Sequence, residues 1–151
     1  MGELLAGQLK SSVLTHRRLK HLATIAECTE DIISRLALGR SIGMGEVNLS
    51  FAPEKLDASI EAPNLDVTKG KSLRCKTLLK SEDDALLFFS AMQWKQDSSL
   101  SDPVAWKQAL GAHWERGVQQ LIVDANGEGG EHAWLRVLSN VVEASAPSRA
   151  A

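Results

Sequence analysis

Two helical patterns between Val13 and Arg40, separated by only a few residues, constrain this chain more than any other feature. In the first, Leu14, Leu19, Leu22, Ala23 and Ala26 fall near helical spacing, with Arg17, Arg18, Lys20 and His21 between them. The second begins at Thr29, a suitable N-cap, where Glu30 and Asp31 match the positive end of the helix dipole. Ile32, Ile33, Leu36, Ala37 and Arg40 continue it, and Gly39, Gly43 and Gly45 mark its end. So short a connection makes the two helices a packed pair.

Further along, Gly43-Met44-Gly45, Pro53, Pro63 and Asn64 punctuate residues 43–70, where apolar residues are scattered. Short strands or an extended loop fit this stretch, followed by a turn at Lys69-Gly70-Lys71 and a candidate strand over Leu73–Leu79. Ser81 and the carboxylates Glu82, Asp83 and Asp84 predict a helix start before the apolar run Ala85–Trp94. Asp102 at N-cap and Pro103 at the first helical position predict another. That helix carries Val104, Trp106, Ala109, Leu110, Trp114, Val118 and Leu121. The expected fold is mainly α. It is a compact helical domain over 1–125, with a strand–helix–helix N-terminal part and short extended segments in the middle. Residues 126–151 read as a flexible Gly-rich break, a short helix over Glu131–Val142 and a frayed tail.

Chemistry is easier to exclude than to assign. His16 and His21, five apart, fall on different faces of a helix, and His113 and His132 stand apart, so no metal site is expected. The acidic run Glu82–Asp84 is explained by the helix dipole. Gly39–Gly45 lacks the Gly-Lys-Ser/Thr ending of a P-loop and follows a helix, not a strand. Cys28 and Cys75 form no disulfide framework or metal quartet, and each is expected to fill a small buried gap. No catalytic constellation or cofactor site emerges. Met1–Leu5 lacks the basic start of a secretory signal and no stretch approaches a membrane span, so a cytoplasmic location is expected.

The net charge is −2, from 17 Lys and Arg against 19 Asp and Glu, which excludes a chain coated in positive charge. The distribution says more than the sum. Lys10, Arg17, Arg18 and Lys20 form one run free of acids; Lys69, Lys71, Arg74, Lys76 and Lys80 form another. Both can supply phosphate contacts. Arg17, Arg18 and Lys20 cannot all face one groove from a single helix, and the expected surface combines both runs across subunits.

Two stretches carry a resemblance. Leu14–Ile42, LTHRRLKHLATIAECTEDIISRLALGRSI, resembles the N-terminal helical pair of the DndE family of DNA phosphorothioation proteins, with its Ile/Leu-x-Arg-x-Ala-Leu helix and serine-containing end at Ile33, Arg35, Ala37, Leu38 and Ser41. GKSLRCKTLLKSEDDALLFFSAMQWKQ, from Gly70, is similar to the segment leading into that family's central helix. AHWERGVQQL, with Arg116-Gly117-Val118, is similar to its His-x-x-Arg-Gly-Val/Ile ending. Together they span most of residues 14–121. The chain departs from the family at Ala26-Glu27-Cys28, where relatives carry a basic, Thr-Gly-containing turn, and beyond Val123 nothing matches.

The resemblance implies a helical, self-assembling protein with affinity for nicked duplex DNA that acts with DndC and DndD type proteins in DNA sulfur modification. Independently, Leu9–Arg40 has the strand–helix–helix order of ribbon-helix-helix DNA binders, in which two chains pair their strands and enter a groove. The expectation is therefore a DNA-binding accessory subunit of a phosphorothioation complex, binding intact or nicked duplex through Lys/Arg patches. The alternatives are a ribbon-helix-helix type transcription regulator, or a structural adaptor that binds protein partners through apolar helix faces such as Trp94 and Trp106. A homo-oligomer, with a tetramer as one candidate, follows from the apolar load of Ala85–Trp94 and Val104–Leu121. Arg35, set among core residues, is expected to pair with a carboxylate across a helix interface.

Overall fold

The computed structural model describes residues 7–80, 82–96, 100 and 102–127. A short strand β1 (Gln8–Lys10) leads into helices α1 (Val13–Ala26) and α2 (Glu30–Gly43). A long irregular segment then returns to strand β2 (Ser72–Arg74), followed by helices α3 (Cys75–Leu79), α4 (Glu82–Lys95) and α5 (Pro103–Asn126). The fold is mainly helical, with the strand–helix–helix order expected at the N-terminus.

Local chemistry sets the helix ends. The Ser12 hydroxyl accepts from the Thr15 amide at 3.1 Å, and that of Thr29 accepts from Ile32 at 3.3 Å. The Asp102 carboxylate accepts from Ala105 at 2.8 Å, with Pro103 opening α5 as expected. α1 stops because Glu27 turns left-handed, at φ 53°, and its amide closes on the last turn. Glycine is the usual residue at such a stop, so this turn imposes on Glu27 a backbone that a side chain adopts only with strain.

α5 spans 24 residues, about 36 Å at 1.5 Å per residue, and forms the spine of the domain. Its most extensive partner is α2, followed by α1. Leu19, Leu22, Ile33, Ala37, Leu38, Leu110, Trp114, Val118, Leu121 and Ile122 are buried between these three helices. The α2–α5 contact is so close that a Cβ on Gly117 would lie 1.8 Å from the Ala37 carbonyl oxygen. Only glycine permits that approach. One residue earlier, Arg116 reaches back over the end of α2. Its guanidinium donates to the Ser41 and Gly45 carbonyls at 2.7 Å each, the Glu46 carbonyl at 2.6 Å and the Ser41 hydroxyl at 2.8 Å. A cation thus satisfies carbonyls that a helix end leaves bare.

Two expectations are revised. β2 ends at Arg74, and Cys75–Leu79 is helical, because Cys75, Leu78 and Leu79 are all buried with a 3–4 spacing that a strand would split between two faces. α2 runs through Gly39 to Gly43; Gly39 sits in open space while Leu38, Ser41 and Ile42 around it are buried. Of short strands and an extended loop, residues 44–71 adopt the loop, and polar side chains fasten them to the body of the domain. Gln96 exchanges two hydrogen bonds with the Val47 backbone, at 3.2 and 2.9 Å. Gln119 accepts from the Glu54 amide at 2.8 Å, and Asn126 donates to the Ile60 carbonyl at 3.0 Å. The proposed Ser81 cap and the expected helix over Glu131–Val142 lie outside the described residues.

Candidate nucleic-acid interface

β1 and β2 pair antiparallel, with Gln8 opposite Arg74, Leu9 opposite Leu73 and Lys10 opposite Ser72. The pleat sends Leu9 and Leu73 into the core and turns Gln8, Lys10, Ser72 and Arg74 to solvent. One chain thus joins the two basic runs that were expected to meet across subunits. It also makes, within itself, the strand pairing that a ribbon-helix-helix protein makes with a second copy.

The ribbon is held firmly to the body. Ser11 donates from its amide to the Lys71 carbonyl at 2.8 Å and accepts from the Lys71 amide through its hydroxyl at 2.8 Å. The Cys75 amide donates to the Gly7 carbonyl at 3.0 Å, extending the ladder. Gly70 passes so close to Ser11 that a Cβ there would fall 1.8 Å from its carbonyl oxygen.

Lys10, Lys20, Lys69, Arg74, Lys76 and Lys80 are exposed, and Arg17 and Lys71 are half-buried. Lys71 is partly neutralised, its ammonium lying 3.8 Å from Glu30. His16 sits beside it, with Nδ1 2.7 Å from the Lys69 carbonyl and Nε2 3.2 Å from Glu30. Arg17 and Lys20, three residues apart, share the outward side of α1, away from the buried Thr15, Arg18, Leu19 and Leu22.

Arg18 does not belong to the surface. It is fully buried, and its Nε and Nη2 grip Glu61 at 2.9 and 2.7 Å in a bidentate pair. Nη1 donates to Gln119 at 3.1 Å, and Nη2 also donates to the Glu54 carbonyl. Burial opposes ionisation of Glu61, but Arg18 and the Leu56 and Ala62 amides outweigh it and hold the carboxyl at about 2. Arg18 is therefore a tether for the irregular segment. The charge periodicity that put it on the surface ignored its place on the apolar face of α1.

Arg35 also departs from expectation. It is half-buried, and no ion pair of its own is found among the described residues. The α2–α5 ion pair is made by Arg40 with Asp124, at 3.0 Å. Sequence reasoning missed Ser41, Glu61 and Gln119 as partners of Arg116 and Arg18, since residues so far apart in the chain carry no joint local signal.

His113 is fully buried on α5, its Nδ1 2.9 Å from the Ser41 hydroxyl. That oxygen already accepts from Arg116, so its own proton is free to reach a neutral imidazole. Burial, reinforced by the Arg116 charge, holds the His113 pKa down to about 4. Sealed in the core, this serine–histidine pair serves packing. His16 and His21 do lie apart; His21 meets Asn126 at 3.2 Å. Among the described residues no cluster of His, Cys, Asp and Glu could hold a metal ion. Cys75 is buried as expected, whereas Cys28 is half-buried beside an open cleft of about 500 Å³ with Lys20, Glu30 and Asp66. Burial raises both thiol pKa values, away from reactivity.

Among the described residues, three of the four most exposed large apolar side chains lie on α4. Trp94 is 87% exposed, with Leu87 at 70% and Leu86 at 58%, and Val104 at the start of α5 is exposed as well. Trp106, expected to share that role, is turned inward and packs edge-on against Phe89 with ring centroids 4.7 Å apart. No helix among the described residues is long and apolar enough to cross a membrane. No family model, curated protein or solved structure matches this chain.

Proposed function

We propose that this chain is a DNA-binding accessory subunit of a DNA phosphorothioation complex, acting in the cytoplasm on intact and nicked duplex. The observation that carries the DNA reading is the ribbon, which sets Lys10 and Arg74 on one exposed face of a braced pair of strands. Lys69 lies just before that ribbon in the chain, and Lys76 and Lys80 follow it. Such an array neutralises phosphates and releases counterions without needing a basic protein overall. The assignment to DNA sulfur modification rests on the DndE-like segments. Five of their residues, Ala37, Ser41, His113, Arg116 and Gly117, meet at one helix interface.

Affinity for a polymeric ligand grows with copy number, because each added subunit binds at high effective concentration. Leu86, Leu87 and Trp94 on α4 offer the apolar face for self-association, or for DndC and DndD type partners. The experiment is a salt titration of binding to intact, nicked and palindromic duplexes, with sedimentation at the same concentrations. Lys69→Ala with Lys76→Ala should weaken binding to every duplex and flatten the salt slope by about 0.9 per lost contact. Unchanged affinity and slope would remove these lysines from the interface, and a chain without DNA affinity at any salt would leave the adaptor reading.

A further inference from the structure

Phosphate binding uses charge alone, yet the exposed face of the ribbon carries more. Alternating with Lys10 and Arg74 in the register are Gln8 and Ser72, neutral side chains that make no hydrogen bond to any described residue. Direct pairing places the Cβ atoms of Gln8 and Arg74, and of Lys10 and Ser72, about 5 Å apart, with the Lys10–Arg74 diagonal about 7–8 Å. These four side chains form a compact polar quartet on one side of a two-stranded ribbon whose other side is anchored by Leu9 and Leu73.

We propose that this ribbon enters the major groove of duplex DNA and reads base edges through Gln8, Lys10, Ser72 and Arg74. The inference rests on the duplex-binding reading above and adds sequence selectivity to it. The dimensions agree, since two strands about 5 Å apart fit within a major groove about 12 Å wide. So does the chemistry. A carboxamide pairs with adenine N6 and N7, a guanidinium or ammonium with guanine O6 and N7, and a hydroxyl with either type of edge. Rigidity favours readout as well, because the Ser11–Lys71 bonds, the Cys75–Gly7 bond and the Gly70 approach fix the ribbon before any ligand arrives. Lys69, Lys76 and Lys80, beyond the ends of β2, then serve the flanking phosphates.

The test is selection by the full chain from duplexes with a randomised centre at physiological salt, followed by binding to the selected duplex and to the unselected pool. A short preferred motif should emerge. Gln8→Ala and Ser72→Ala, which remove no charge, should each cut the preference for that motif by about 5- to 100-fold while thermal melting confirms a folded chain. Replacing the motif's guanines by 7-deazaguanine, which removes N7 from the major groove, should weaken the wild-type chain in the same way. Binding with a steep salt slope but no enriched motif would overturn groove reading and leave phosphate binding standing. A motif unaffected by both variants or by 7-deazaguanine would also overturn it. Absence of binding to any duplex would overturn both readings and favour a protein partner.

Discussion

Replacing Arg18 by methionine separates a buried tether from a DNA contact. The guanidinium is fully buried, and its bonds join α1 to Glu61 and Glu54 of the irregular segment and to Gln119 of α5. Removing one partner of a buried ion pair leaves the other charge uncompensated, which costs about 3–5 kcal/mol. Linkage gives a second route to the magnitude. Glu61 has a side chain only 10% exposed, and the gap between its ordinary 4.5 and its folded value of about 2 is worth about 3 kcal/mol. Arg18 and two backbone amides share that amount. For a chain of this length Arg18→Met should lower Tm by about 6–20 °C at pH 7. The sign with pH follows from the depressed carboxyl. Its contribution is full above about 4.5 and disappears as pH falls towards 2, so the variant should show a weaker acid dependence in that window. Adding Glu61→Gln, which removes the orphaned charge, should recover part of the loss. Thermal melts by circular dichroism from pH 7 to pH 3, alongside a duplex-binding assay, decide the matter. An Arg18→Met chain with the wild-type Tm that has lost DNA binding would refute the tether and restore Arg18 to the interface.

His113 gives a second, higher acid window. Its folded pKa of about 4 lies below the ordinary 6.5, so the unfolded chain takes up the proton first and stability falls as pH drops from about 6.5 to 4; a Tm constant across that range would contradict its burial as a neutral ring. Gly117→Ala gains about 1 kcal/mol of helix propensity but forces a methyl against the Ala37 carbonyl. The clash should win by about 1–2 kcal/mol, and a raised Tm would show that α2 and α5 separate at little cost. Glu27→Gly relieves a left-handed backbone at φ 53° and should stabilise by about 0.5–1 kcal/mol in chemical denaturation; destabilisation would mean that the side chain has a partner of its own.

Much of the secondary structure was written locally. Thr29 and Asp102 cap the helices they were expected to cap, and the close α1–α2 pair follows from the turn at Glu27 and Cys28. These features depend on neighbours within one helical turn, which a sequence displays directly. The mainly helical class, with a strand before two helices, was legible for the same reason. The fate of each charge was not. Arg18 on α1 and Arg35 and Arg40 on α2 have similar apolar neighbours in sequence, yet one is sealed with Glu61, one has no ion pair among the described residues and one reaches Asp124. The partners of Arg18 and Arg40 come from segments far along the chain that only tertiary packing brings near. The candidate site has the same origin. Lys10 and Arg74 stand 64 positions apart in the chain, and nothing local pairs them. Burial of Leu9 and Leu73 against the helices aligns the two strands, and the pleat then turns the polar residues outward together. The sequence by itself determined where α1, α2, α4 and α5 lie, whereas Cys75–Leu79 coils because Cys75, Leu78 and Leu79 are buried together in the core. Tertiary packing alone decided which cations face solvent and which two basic runs share a surface, because those outcomes depend on contacts between residues far apart in the chain.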